Sequence, residues 1–178
     1  MQPLRADAAR SRERILSVAR EHDTTDLRFN DLAREAGVGV GTVYRHFATA
    51  QALREALATE TLLRMRDVSH AAEAEPDAGL ALDGFLRDAL RLQLEDGGLQ
   101  AVLLSPDDEA DEVRDLKREI FGAFTAVLGR ARAAGVVRAD VGIAQLQHLV
   151  CGVEHAVRVG SPADRELFTA VMLSGLRP

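Results

Sequence analysis

Between residues 29 and 47 the chain reads FNDLAREAGVGVGTVYRHF, and no other stretch restricts the fold as tightly. Two short helical runs, at about 29–36 and 40–47, are parted only by Gly37-Val38-Gly39. Helices joined by so tight a turn cross steeply only where the contacting residues are small. Ala33 supplies that on the first helix, and Gly37 suits a left-handed turn that a Cβ would resist. Leu32, Val38 and Val43 are the apolar residues that lock the pair onto a preceding helix, and Phe47 belongs to the same core. What remains on the second helix is Val40, Gly41, Thr42, Tyr44, Arg45 and His46. That is a hydrogen-bonding face with one aliphatic residue, the chemistry needed by a helix lying in a DNA major groove.

The rest of the chain is cut into helical lengths by its breakers. A first helix is expected at 7–22, with Ile15, Leu16 and Ala19 inward, followed by a polar connector at 22–28. Thr49 should cap a long helix running to about 69. After the connector around Pro76 comes a helix at 77–95, apolar on most sides and therefore central. Asp96-Gly97-Gly98 and the run 105–111 bracket a short segment. Val113, Leu116, Ile120, Phe124, Val127 and Ala131 then step by three or four along a helix at 108–134 that ends at Gly135. Helices at 139–159 and 163–176 complete an all-α chain of about nine helices. Aromatic residues are only 4%, and no alternating β-branched run marks a strand.

Charge is unevenly spread. Net charge is -6 overall, yet residues 1–66 carry eleven arginines against nine carboxylates, while 67–178 carry eleven basic residues against nineteen acidic ones. A local nucleic-acid surface is therefore sought in the first third. With 47% hydrophobic residues the composition is that of a globular protein. No apolar run nears the roughly 18 residues of a membrane span, and the charged N-terminus lacks the apolar core of a secretory signal. One cysteine makes no internal disulfide, so the cytoplasm is the expected compartment.

DLAREAGVGVGTVYRHF, with Ala52-Leu53 after a short linker, resembles the tetracycline-repressor (TetR) family of transcription regulators. The likeness covers about residues 10–53, and turn, packing and contact positions agree together. The resemblance implies that Tyr44 and His46 bond backbone phosphates, while Val40, Gly41, Thr42 and Arg45 approach base edges or nearby phosphates. Arg45 has two open roles, twin hydrogen bonds to a guanine or a phosphate clamp. Two departures matter. The family usually carries a lysine soon after its His-Phe pair, where this chain has Ala48-Thr49-Ala50-Gln51. Arg28 stands where a capping Thr or Ser is usual; it cannot accept the capping bond but can reach a phosphate, and is expected to replace the lysine in part.

A helix-turn-helix of this size reads too little DNA alone, so a two-fold dimer on a palindromic operator is expected. The interface candidates are Leu146, Leu149, Val150, Val153 and Val157 on one helix and Leu167, Phe168, Val171 and Met172 on the next, with Gly152 permitting close approach. The domain reading is a DNA-binding region at 6–50 and a ligand-binding and dimerisation body at 51–178. The resemblance also implies a pocket whose occupant releases the repressor, and the few polar residues on the apolar helices point to a small, largely apolar effector; Phe85, Leu90, Leu103, Phe121, Phe124 and His148 are its candidate lining, all but His148 fitting plain core equally well. A rival reading is a helical carrier or metal-dependent enzyme with a merely structural N-terminal unit. His148, Cys151 and His155 share a helical side and could seat a metal, but a fourth ligand is not evident. The acidic run Asp107, Asp108, Glu109, Asp111 and Glu112 suits a helix N-terminus. No phosphate loop, nucleophile elbow or zinc-protease motif occurs, so no catalytic residue, cofactor or metal is expected.

Overall fold

The computed structural model describes residues 3–22 and 28–178, and among them there are nine α-helices, one 3-10 turn and no strand. The helices are α1 (Pro3–Arg20), α2 (Phe29–Glu35), α3 (Val40–His46), α4 (Ala50–Ala74), α5 (Ala78–Glu95), α6 (Leu99–Leu104), α7 (Asp111–Ala133), α8 (Ile143–Val159) and α9 (Arg165–Gly175), the 3-10 turn being Pro162–Asp164. Most of the connector expected at 22–28 lies outside the described residues. By packing the chain falls into two compact units: residues 1–60 with 97–114, and residues 61–96 with 115–178.

The first unit is built on Ile15, Leu16 and Ala19 of α1, Leu32 and Ala33 of α2, Val43 of α3, Phe47 and Leu53, with Val38 partly buried against them. The turn between α2 and α3 is a glycine-terminated helix end. Gly37 has φ +63°, its N–H bonds the Arg34 carbonyl (3.3 Å), and the Val38 N–H reaches back to Ala33 (2.9 Å). Those two bonds satisfy carbonyls that a helix end would otherwise leave open. Arg28 precedes α2 in extended backbone and makes no side-chain cap bond, as expected of a side chain without an acceptor. Thr49 does cap α4, its Oγ1 accepting the Ala52 N–H at 3.0 Å.

In the second unit α5 packs on α8, and α8 on α9. Asp77 caps α5 by accepting the N–H groups of Gly79 and Leu80, both at 2.8 Å. Two arginines finish helices from a distance. Arg158 of α8 donates to the carbonyls of Gln93 (2.7 Å) and Leu94 (3.3 Å) at the end of α5, while bonding the buried Glu154 on its own helix. Arg130 of α7 donates to the carbonyls of Ala72 and Glu75, both at 2.8 Å. This second clamp accounts for a correction: α4 runs to Ala74 rather than about 69, because its last carbonyls find donors in α7. Helix α8 starts at Ile143 rather than 139, since Arg138 and Asp140 pair with each other (2.6 Å) and Gln145 takes the Gly142 N–H (3.0 Å). Gly135 (φ +67°) ends α7 as Gly37 ends α2. No described helix is long and apolar enough to cross a membrane.

Candidate nucleic-acid interface

Helix α3 is held from one side and open on the other. Val43 and the following Phe47 are buried in the core of the first unit, so the residues between them are presented outward. Tyr44 is 56% exposed, Val40, Gly41 and Arg45 are exposed, and Thr42 and His46 are half-buried. Tyr44 stands edge-on to Phe29 at the start of α2, ring centroids 5.0 Å apart, which orients the phenol and leaves its hydroxyl end outside the core. Arg45 folds back on its own helix, donating to Thr42 Oγ1 at 2.8 Å. That exposed bond costs little to exchange for a stronger one to a base or phosphate.

His46 is the member that is also hydrogen-bonded to another helix. Its Nε2 lies 2.8 Å from the Ser11 hydroxyl of α1. Ser11 Oγ itself donates to the Ala8 carbonyl at 2.9 Å, so it takes the imidazole proton at Nε2. Burial lowers the His46 pKa, and the guanidinium groups of Arg12 and Arg45 lower it further. In the free chain His46 is therefore a neutral pin between α1 and α3, with Nδ1 bare. It can donate to a phosphate only through Nδ1 and only when protonated. Arg12 lies over the Phe47 ring at 5.4 Å, bracing the same end of α3.

A groove beside α3 adds residues that the sequence reading missed. Arg10 and Arg14 of α1 line it together with Thr42, Arg45 and His46. Their signal was present: they stand four apart on α1, on the exposed side opposite Ile15 and Ala19. Arg10 pairs with Asp7, and Arg28 is exposed ahead of α2.

The other sequence candidates lie elsewhere. Of the expected pocket lining, Phe85, Leu90, Leu103 and Phe124 are buried and Phe121 is half-buried. Phe85 and Phe124 stack with centroids 4.4 Å apart. His148 is exposed instead, on the outer side of α8. Of the expected interface set, Leu146, Val150, Val157 and Met172 are buried within the chain's own core. Val153 and Phe168 are half-buried, while Leu149, Leu167 and Val171 are exposed to 44%, 60% and 63%. His148 and His155 are exposed whereas Cys151 is buried, and among the described residues no three His, Cys, Asp or Glu side chains are grouped to hold a metal. Asp111 and Glu112 of the acidic run occupy the first turn of α7.

Comparison with known proteins agrees with this geometry at both ends of the chain. Residues 14–57 match the family described as bacterial regulatory proteins, tetR family. Residues 75–178 match the C-terminal domain described as transcriptional regulator SbtR-like. A TetR transcriptional regulator from Streptomyces coelicolor is 31% identical with TM-score 0.54, covering 94% of this chain and 98% of that one. A TetR transcription regulatory protein from Mycobacterium vanbaalenii is 34% identical with TM-score 0.49, covering 99% and 100%. FadR from Bacillus subtilis, solved in complex with stearoyl-CoA, shares the fold at 15% identity, with TM-score 0.59 over 95% of this chain and 99% of that one. No curated protein matches the chain significantly.

Proposed function

This chain belongs to the TetR family of bacterial DNA-binding transcription regulators, and from that membership we propose that it is a dimeric repressor, released from a palindromic operator by a small, largely apolar ligand. Residues 6–50 serve as its DNA-reading domain and 51–178 as its regulatory body, and it works in the cytoplasm. The observation that carries the reading is the exposure of Val40, Gly41, Tyr44 and Arg45 on a helix whose Val43 is fully buried. Val40, Gly41, Thr42 and Arg45 meet base edges or nearby phosphates, and Tyr44 meets a phosphate. His46 holds α3 to α1 and adds a phosphate contact in its charged form. Arg28, Arg10 and Arg14 supply cations to the flanking backbone, which positions the protein without reading sequence.

Dimerisation is supported by the side chains that the chain's own core leaves outside. Leu149 and Val159 on α8, with Leu167 and Val171 on α9, are exposed aliphatic residues. A Cβ built on Gly152 would meet no other atom within 4 Å, so this point of α8 is open to a close neighbour. Exposed apolar residues on two helices that pack together give a second copy something to cover. The effector reading rests on Phe85, Leu90, Phe121 and Phe124, apolar residues of α5 and α7 that offer an effector hydrocarbon and ring surface. Leu103 of α6 is a further candidate. The fold neighbour from B. subtilis was solved in complex with stearoyl-CoA, a molecule with a long apolar part.

Selection of bound duplexes from random DNA is the direct test. An inverted repeat should be enriched, with affinity falling steeply as salt rises. Selection that returns unpaired half-sites or no consensus sinks the dimeric-operator reading.

A further inference from the structure

Glu55 of α4 is 1% exposed, and among the described residues no cation is paired with its carboxylate. It is satisfied by three N–H groups. Oε1 accepts the backbone N–H of Glu109 at 2.9 Å and the side-chain amide of Gln51 at 3.0 Å, and Oε2 accepts the backbone N–H of Ala110 at 2.8 Å. Those two amides stand immediately ahead of α7, where the helix dipole favours a negative group. Around this centre the bonds continue. Arg54 holds Gln51 Oε1 at 3.1 and 3.3 Å. Thr49 Oγ1 donates to the Glu109 carboxylate at 3.0 Å while accepting the Ala52 N–H. All of these residues belong to the first compact unit.

A buried carboxylate is tolerated only when its acceptors are used, and here two of the three donors come from a corner 54 and 55 residues away. The near end of the network is the three-residue junction Phe47-Ala48-Thr49 between α3 and α4. Phe47 anchors the end of α3 in the core, and Thr49 starts α4. We propose that Glu55 is a positioning residue for DNA binding: with Thr49 and Gln51 it latches the α3–α4 junction to the corner at 109–110 and so fixes the recognition helix in its DNA-reading pose. The latch touches no phosphate. Its loss loosens α3 and weakens binding without changing the number of counterions released. The corner at 109–110 is then a control point, since whatever shifts it shifts the junction.

Glu55→Gln tests this, because it keeps the shape and puts an amide NH2 against an N–H donor. Hydrogen exchange on the full-length protein should show the amides of Glu109, Ala110 and the α3 segment 40–46 exchanging about tenfold faster, with α8 unchanged. Affinity for the selected duplex should fall about tenfold at an unchanged salt slope. Faster exchange confined to 109–110, with α3 and DNA affinity as in the wild type, overturns the proposal and leaves Glu55 a helix cap. Should Glu55→Gln not fold, the exposed Glu109→Ala cuts the Thr49 bond alone. About a threefold rise in exchange at α3 supports the latch, and none overturns it. If the wild type selects no duplex, the operator reading fails, and the exchange of α3 still decides the latch.

Discussion

The open face of α3 and the open faces of α8 and α9 are both surfaces that the chain's own core does not cover, and their chemistry is opposite. On α3 the uncovered groups are, beside the aliphatic Val40, a phenol, a guanidinium, a hydroxyl and a half-buried imidazole, braced by Phe29, Thr42 and Ser11. On α8 and α9 they include the aliphatic chains of Leu149, Val159, Leu167 and Val171, beside exposed polar residues such as His148 and His155. A polar face held rigidly from behind suits a polyanion whose bonds must be met in fixed directions. An aliphatic face is stabilised only by removal from water, at roughly 25 cal/mol for each Å² covered, and a second copy of itself is the simplest cover. Exposure by itself therefore says little, and the atoms exposed decide which kind of partner fits.

The contrast breaks most readily on the aliphatic side. Val171→Glu places a charge where the dimer reading needs dry contact, and unpaired buried charges are poorly tolerated. Sedimentation should show monomers, and duplex affinity should fall by about a hundredfold or more, since each half-site then binds alone. A dimer that persists would mean α9 is simply an exposed helix. On the polar side Arg45→Ala removes a donor pair, with an expected cost of about 1–3 kcal/mol in operator affinity. Repeating the selection with this variant sharpens the assignment. Relaxed preference at one base pair makes Arg45 a base reader, whereas uniform weakening makes it a phosphate clamp, the outcome expected also for Tyr44→Phe.

Smaller effects probe the edges of the polar face. Arg28→Gln removes a cation while leaving the α2 cap as poor as before, so the salt slope should drop by about one unit. A slope equal to that of the wild type would make Arg28 an ordinary surface arginine. The smallest effect concerns His46. Its folded pKa is lowered by burial and by Arg12 and Arg45, so the unfolded chain takes the proton more readily. Stability from the neutral ring is complete above the ordinary histidine value, about 6.5, and is lost as pH falls through the lower folded value. Melting temperature measured from pH 7.5 down to 5 should fall in the wild type. It should fall less in His46→Gln, which keeps a donor for Ser11 and cannot titrate. Equal pH dependence in both would mean that other groups govern it.

Much of the first unit was legible in the amino-acid order because its rules are local. The small Ala33, the left-handed Gly37, the capping Thr49 and the unsuited cap at Arg28 each act within a few residues of where they stand. The family likeness lay in the same stretch, since a recognition helix must keep its turn, packing and contact residues in one register. The second unit was less legible. Periodicity marked α7 and breakers set off α8 and α9, but an apolar stretch such as that of α8 does not declare which stripe meets its neighbours. Leu146, Val150 and Val157 went inward, and Leu149 stayed out. His148, one residue from Leu149, went out with it.

What the sequence by itself determined is therefore the helical succession, the α2–turn–α3 unit and the chemistry of its open face. These follow from backbone sterics, capping and side-chain type, which need no distant partner. Only the tertiary structure decided that α4 runs on to Ala74, that the His46 Nε2–H donates a hydrogen bond to Ser11 Oγ, and that Glu55 is satisfied by the amides of Glu109 and Ala110. Each depends on donors and acceptors from 35 to 58 residues apart. A hydrogen bond at that separation exists only once the intervening chain has packed, and no local pattern announces it.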